Sequence, residues 1–139
     1  MYKSELTRQA LPEKRYRELL GTALCVFASN SEFVIENILH TDAIKYNWYN
    51  LNDLMSGQLN PVVKATISCN AGNNIANLFD DIVEKRNRII HSFQITNKEG
   101  KQRLQSKTKV KDGNVQIEIT EKYLLEFIEL NGKLSDALY

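Results

Sequence analysis

The sequence predicts a mainly α domain, an up-and-down bundle of four to five helices with a small β-hairpin inserted before the last helix. Apolar residues recur at helical spacing over residues 12–40, 73–92 and 120–138, and between the last two stretches the period falls from 3.6 to 2. A chain of 139 residues with 42% hydrophobic and 25% charged residues suits one domain, 1–139, with a single core that needs no disulfide staples.

Pro12, Glu13 and Lys14 open the first pattern, and Tyr16, Leu20, Ala23, Phe27, Val34 and Ile38 keep one face apolar to about residue 40. One long helix is expected; Ser29 and Glu32 resemble a capping box, so a restart with a kink near Asn30 is the alternative. From Thr41 to Asn60 the chain is rich in Asn, Asp and Tyr, with Trp48 and Leu51 to Met55 suggesting a short helix. Gly57 and Pro61 read as punctuation, Pro61 to Ser68 as the start of another short helix, and Asn70, Gly72 and Asn73 as a break. A helix then spans about residues 73 to 92. Short strands are expected at Phe93 to Thr96, Arg103 to Val110 and Asn114 to Thr120, joined by Asn97-Lys98-Glu99-Gly100 and by Asp112-Gly113, so that the hairpin insertion covers 93–119. Thr120 is placed to cap a last helix with Leu124, Ile128, Leu134 and Leu138 on its inner side.

The net charge of +1 is uninformative about partners. No uninterrupted apolar run approaches a membrane span, and the start, Met-Tyr-Lys-Ser-Glu-Leu-Thr-Arg, lacks the apolar stretch of a signal peptide, so neither membrane insertion nor secretion is expected. Cys25 and Cys69 stand apart, with no C-x-x-C and no His at ligand spacing, and read as reduced core thiols of a cytoplasmic protein. With His40 the only histidine besides His91, neither a metal site nor a cofactor is expected.

The motif Arg86-Asn87-Arg88-Ile89-Ile90-His91 is the most informative stretch. On a helical wheel Ile75, Phe79, Ile82, Ile89 and Phe93 fall in a narrow arc, and Arg86 falls near its centre, where Leu is expected. An unpaired guanidinium taken out of water costs several kcal/mol, so an anion must meet it or a cleft must keep it wet. Asn87 and His91, spaced i and i+4, lie on one flank of the same helix. A fixed cation, an amide and an imidazole together suit the holding and cleaving of a phosphodiester. The plainer alternative makes Arg86 an ion-pair member, with Asp80, Glu84 or a carboxylate of another helix as partner, and His91 a polar residue favoured by the helix dipole.

A helical domain whose penultimate long helix ends in R-N-x-x-x-H, followed by a short excursion and a closing helix, resembles the HEPN superfamily (higher eukaryotes and prokaryotes nucleotide-binding). The matching positions are Arg86, Asn87 and His91; beyond these six residues the resemblance is one of helix order over residues 12 to 139. It implies a bundle that dimerises and joins two motifs in a composite cleft. Many members are metal-independent endoribonucleases of toxin-antitoxin pairs, phage defence and CRISPR effectors; others bind nucleotides or partner proteins without activity. The Lys-rich hairpin departs from the plain bundle.

Metal-free RNA cleavage uses the 2′-hydroxyl as internal nucleophile, so the protein must move protons and stabilise charge on the phosphorane-like transition state. His91 suits the first task because imidazole exchanges protons near neutral pH. Arg86 suits the second through its bidentate fork, and Asn87 would orient His91 or a phosphate oxygen. On one ideal helix Arg86 and His91 point about 140° apart. Either the last turn unwinds before Ser92, or a partner subunit supplies the missing group; the second is preferred, since a two-fold seam also accounts for Arg in an apolar stripe. Lys107, Lys109 and Lys111 alternate, and with Lys98, Lys101 and Arg103 place six cations against two acids between residues 98 and 112. They read either as RNA phosphate contacts or as a charged edge that discourages aggregation. Tyr46, Trp48 and Tyr49 read as base-stacking groups or as packing of an irregular segment. RNA, a second copy and an antitoxin or regulatory protein are thus the expected partners.

Overall fold

The computed structural model describes residues 6–54, 56–68, 74–108 and 110–139. Expectations that rest on Met55, Cys69, Asn70, Gly72, Asn73 and Lys109 lie outside the described residues. Among the described residues, five helices and a three-stranded sheet follow in the order α1 Lys14–Thr41, α2 Trp48–Asp53, α3 Ser56–Ala65, α4 Asn74–Ile90, β1 Phe93–Thr96, β2 Gln102–Lys107, β3 Gln116–Ile119 and α5 Glu121–Leu138. The protein is therefore a mainly helical bundle with a small antiparallel sheet inserted before the last helix.

α1 is a single uninterrupted helix, without a restart at Ser29. Asn30 explains the position better than a kink does: it is buried, and its amide donates to the Asn131 backbone carbonyl (2.8 Å) and side-chain carbonyl (2.9 Å) on α5. The inner face of α1 is Tyr16, Ala23, Phe27, Val34, Ile35 and Ile38, all buried. One 18-residue window of α1, of mean hydropathy 1.3, is long and apolar enough by composition to cross a membrane, a property that the lack of an uninterrupted apolar run conceals. Cys25 lies on the outer face and is exposed, so it is not the core thiol the sequence suggested.

α1 and α5 run parallel. Arg15 meets Glu121, Phe27 stacks on Phe127, Asn30 bonds Asn131, and Phe33 meets Tyr139 edge-on, so contacts ascend together along both helices. Leu124, Phe127, Leu134 and Leu138 bury on α5, with Ile128 half-buried. Thr120 caps α5 as expected, its side chain accepting from the Tyr123 N–H at 3.0 Å. α4 packs between α3 and α5 and buries Ile75, Ala76, Phe79, Ile82, Val83 and Ile89. α3 begins ahead of Pro61 and runs through it, so Pro61 does not punctuate the chain. Burial of Leu59, Asn60 and Val63 on both sides of the proline outweighs its local preference to start a helix.

The excursion is a meander in the order β1-β2-β3, with Phe93 opposite Gln105 and Leu104 opposite Ile119. Asn97 closes the first turn by accepting from the N–H groups of Glu99 and Lys101, with Gly100 at φ 79°. The second connection is longer than the short turn expected around Asp112-Gly113, between strands ending at Val110 and starting at Asn114. β2 ends at Lys107, residues Val110–Asp112 form a 3₁₀ turn, and Gly113 and Asn114 take φ of 100° and 53°. Tyr16 ties the sheet to α1: its hydroxyl donates to the Ile119 carbonyl (2.6 Å) and accepts from the Leu104 N–H (3.1 Å). Burial is the main cause that raises the Tyr16 pKa above its ordinary 10.0.

Candidate functional site

The motif helix α4 carries its apolar stripe as the sequence indicated, with Arg86 in the midst of Phe79, Ile82 and Ile89. Arg86 is half-buried, and its Nε is buried without a hydrogen-bond partner. Neither acid that the sequence offered meets it: exposed Asp80 forms no ion pair among the described residues, and Glu84 pairs with Arg88 at 2.8 Å, while Asp81 is taken by Lys85 at 3.1 Å. Among the described residues Arg86 has no ion pair. Its guanidinium instead lies over the Phe27 ring of α1, with Cζ 4.8 Å from the ring centroid. Desolvation by burial lowers its pKa below the usual arginine value, in keeping with a cation that has shed water without gaining an acid.

Helical hydrogen bonding reaches His91, whose N–H donates to the Asn87 carbonyl at 3.0 Å, and the ladder tightens only at Ser92, which reaches Ile89 at 3.3 Å. The last turn therefore tightens where unwinding was one alternative, and His91 stays on the helical path, about 140° from Arg86 around the axis. His91 is exposed and Asn87 half-buried; among the described residues neither side chain makes a hydrogen bond. One chain thus presents cation and imidazole on different faces of one helix end. Phe93, which the wheel placed in the stripe, opens β1 instead and is 43% exposed.

Two residues outside the motif brace it. The Tyr123 hydroxyl of α5 donates to the Lys85 carbonyl at 3.1 Å. Burial is the largest influence on Tyr123 and raises its pKa. Phe27 was legible as a core residue of α1, but its partnership with Arg86 spans 59 positions and has no signal in local spacing.

The basic excursion is less uniform than the sequence suggested. Lys107 ends β2 and Lys111 belongs to the 3₁₀ turn, so these two do not share a face of one strand, although both are exposed. Arg103 is withdrawn from any phosphate role: it is 6% exposed, pairs with Glu13 at 3.0 Å and lies over the Tyr16 ring at 4.5 Å. Lys98 and Lys101 remain exposed, the latter 3.9 Å from Glu99. At the far part of α1, Tyr46 is half-buried against the core, while Trp48 and Tyr49 are 43% and 76% exposed. Glu32 fixes α2 by accepting from Trp48 Nε1 (3.1 Å) and Asn52 Nδ2 (3.0 Å). Among the described residues no group of three or more His, Cys, Asp or Glu side chains is arranged to hold a metal. No protein-family model, curated protein or solved structure matches the chain.

Proposed function

We propose that the protein is a metal-independent endoribonuclease of HEPN type, acting in the cytoplasm as a toxin or phage-defence effector under the control of an antitoxin or other regulatory protein. One observation supports this above others: Arg86, the arginine of the motif, sits in an apolar stripe without a carboxylate partner among the described residues. A cation desolvated at its own expense and left with donors to spare suits an anion that arrives from outside. In this mechanism Arg86 stabilises the charge that develops on the phosphorane, His91 moves the proton between the 2′-hydroxyl and the leaving oxygen, and Asn87 orients one of them. The divergence of Arg86 and His91 on a single helix is met by a second copy, whose motif completes the cleft across a two-fold axis. Exposed Lys98, Lys101, Lys107 and Lys111 would guide the RNA backbone.

Total RNA incubated with purified protein in EDTA tests the activity. Cleavage by wild type, lost by at least a hundredfold in Arg86→Ala and in His91→Ala, is expected; intact RNA with wild type, or full cleavage by either variant, overturns the proposal. A non-catalytic module that binds a nucleotide or a protein partner is the second candidate, favoured by the His91 side chain making no hydrogen bond among the described residues. Saturable nucleotide binding without cleavage distinguishes it.

A further inference from the structure

We propose that Phe27 is a positioning residue for Arg86, holding the guanidinium in place by its ring face so that the fork's donors stay free for a phosphate. The role rests on the function proposed for Arg86 above, while the contact has its own geometry. Phe27 projects from the middle of α1 with 7% exposure, lies 4.8 Å from Arg86 Cζ, and stacks on Phe127 of α5 at 6.3 Å and 28°. α4 carries the cation, and the two parallel helices α1 and α5 carry the rings. The anchor is therefore built from three elements of the bundle.

The choice of partner decides what the cation can still do. A carboxylate would fix Arg86 equally well, but would accept two of its N–H groups and cancel its charge. A ring quadrupole attracts the charge without accepting the in-plane N–H bonds that a phosphate needs. The same chain shows the other arrangement: Arg103 also lies over a ring, that of Tyr16, yet it is paired with Glu13 and bonded to the Gln102 carbonyl, and it is buried as a structural strut. Of these two ring-bound arginines, only Arg86 lacks an acid. Leucine at position 27 would fill much of the volume but offer no negative face, leaving Arg86 to swing toward water.

The test compares Phe27→Leu, Phe27→Tyr and Val34→Ala in the full-length protein. Val34 is fully buried on the same helix and controls for a general loss of packing. With a defined RNA oligonucleotide in EDTA, Phe27→Leu is expected to lower kcat about tenfold with KM changed less than about twofold, Phe27→Tyr to stay within about threefold, and Val34→Ala to keep kcat despite a lower Tm. In parallel, the Arg86 side-chain Nε–H resonance, assigned with Arg86→Lys, is expected to move downfield in Phe27→Leu as ring-current shielding is lost, and to hold in Phe27→Tyr. Equal loss of kcat in Phe27→Leu and Phe27→Tyr, or an unmoved Arg86 resonance in Phe27→Leu, overturns the assignment. If wild type cleaves nothing, the ribonuclease proposal falls, and the resonance alone decides whether the ring holds the cation.

Discussion

Replacing Arg86 by methionine should make the protein more stable while removing its function. Arg86 Nε is buried without an acceptor, and an unsatisfied buried donor costs about 1–3 kcal/mol. The Phe27 ring returns about 0.5–2 kcal/mol of that, since the guanidinium is half-buried at 4.8 Å from the centroid. Methionine retains the unbranched stem, keeps the apolar contacts with the stripe and carries no charge into it. The expected balance is a gain of about 1 kcal/mol, or roughly 3–5 °C in Tm for a domain of this size. Arg103→Met is the companion measurement: losing the Glu13 pair and the bond to the Gln102 carbonyl should cost about 2 kcal/mol. Urea unfolding followed by circular dichroism measures both. Loss of 2 kcal/mol or more in Arg86→Met would refute the reasoning, because it would mean that the cation is satisfied within the fold.

Asn131→Leu should destabilise by about 1 kcal/mol, since it removes the side-chain acceptor of the Asn30 amide and the bond to the Phe127 carbonyl but leaves the Asn30 amide its bond to the residue-131 backbone carbonyl; urea unfolding measures it. Thr120→Ala removes the cap of α5 and should lower stability by about 1 kcal/mol. Tyr16 and Tyr123 have pKa values raised above 10.0, so the folded state holds protons that the unfolded chain has released. Their contribution to stability is complete below pH 10 and declines as pH rises beyond it, which alkaline unfolding of wild type and Tyr123→Phe should register as a steeper decline in wild type. The Cys25 thiol, being exposed, should react with a disulfide reagent in the native protein within minutes, and Cys25→Ser should remove that fast phase.

The long elements were legible because each buries one continuous stripe: α1, α4 and α5 fall within one to three residues of their expected bounds, and Thr120 caps where its hydroxyl predicts. What escaped is what depends on partners far away in sequence. Arg86 and Arg103 are both arginines in patterned segments, and only the fold shows that Glu13, 90 residues before Arg103, occupies that one and leaves the other bare. Asn30 looked like a weak point in a helix because its partner is Asn131. Lys107 and Lys111 looked like one face of a strand because period 2 persists in the sequence after Ser106, while the backbone leaves the sheet at Lys107 and turns through Gly113 and Asn114. Cys25 was assigned to the core by residue type, yet the phase of α1, set by Ala23 and Phe27, turns it outward.

Mixing two inactive variants tests the central claim most directly. Arg86→Ala and His91→Ala subunits, unfolded together and refolded in equal amounts, should regain about a quarter of wild-type RNA cleavage in EDTA, because half of the dimers are mixed and each mixed dimer has one intact cleft. A mixture as inactive as either parent would contradict a cleft in which the arginine of one chain works with the histidine of the other.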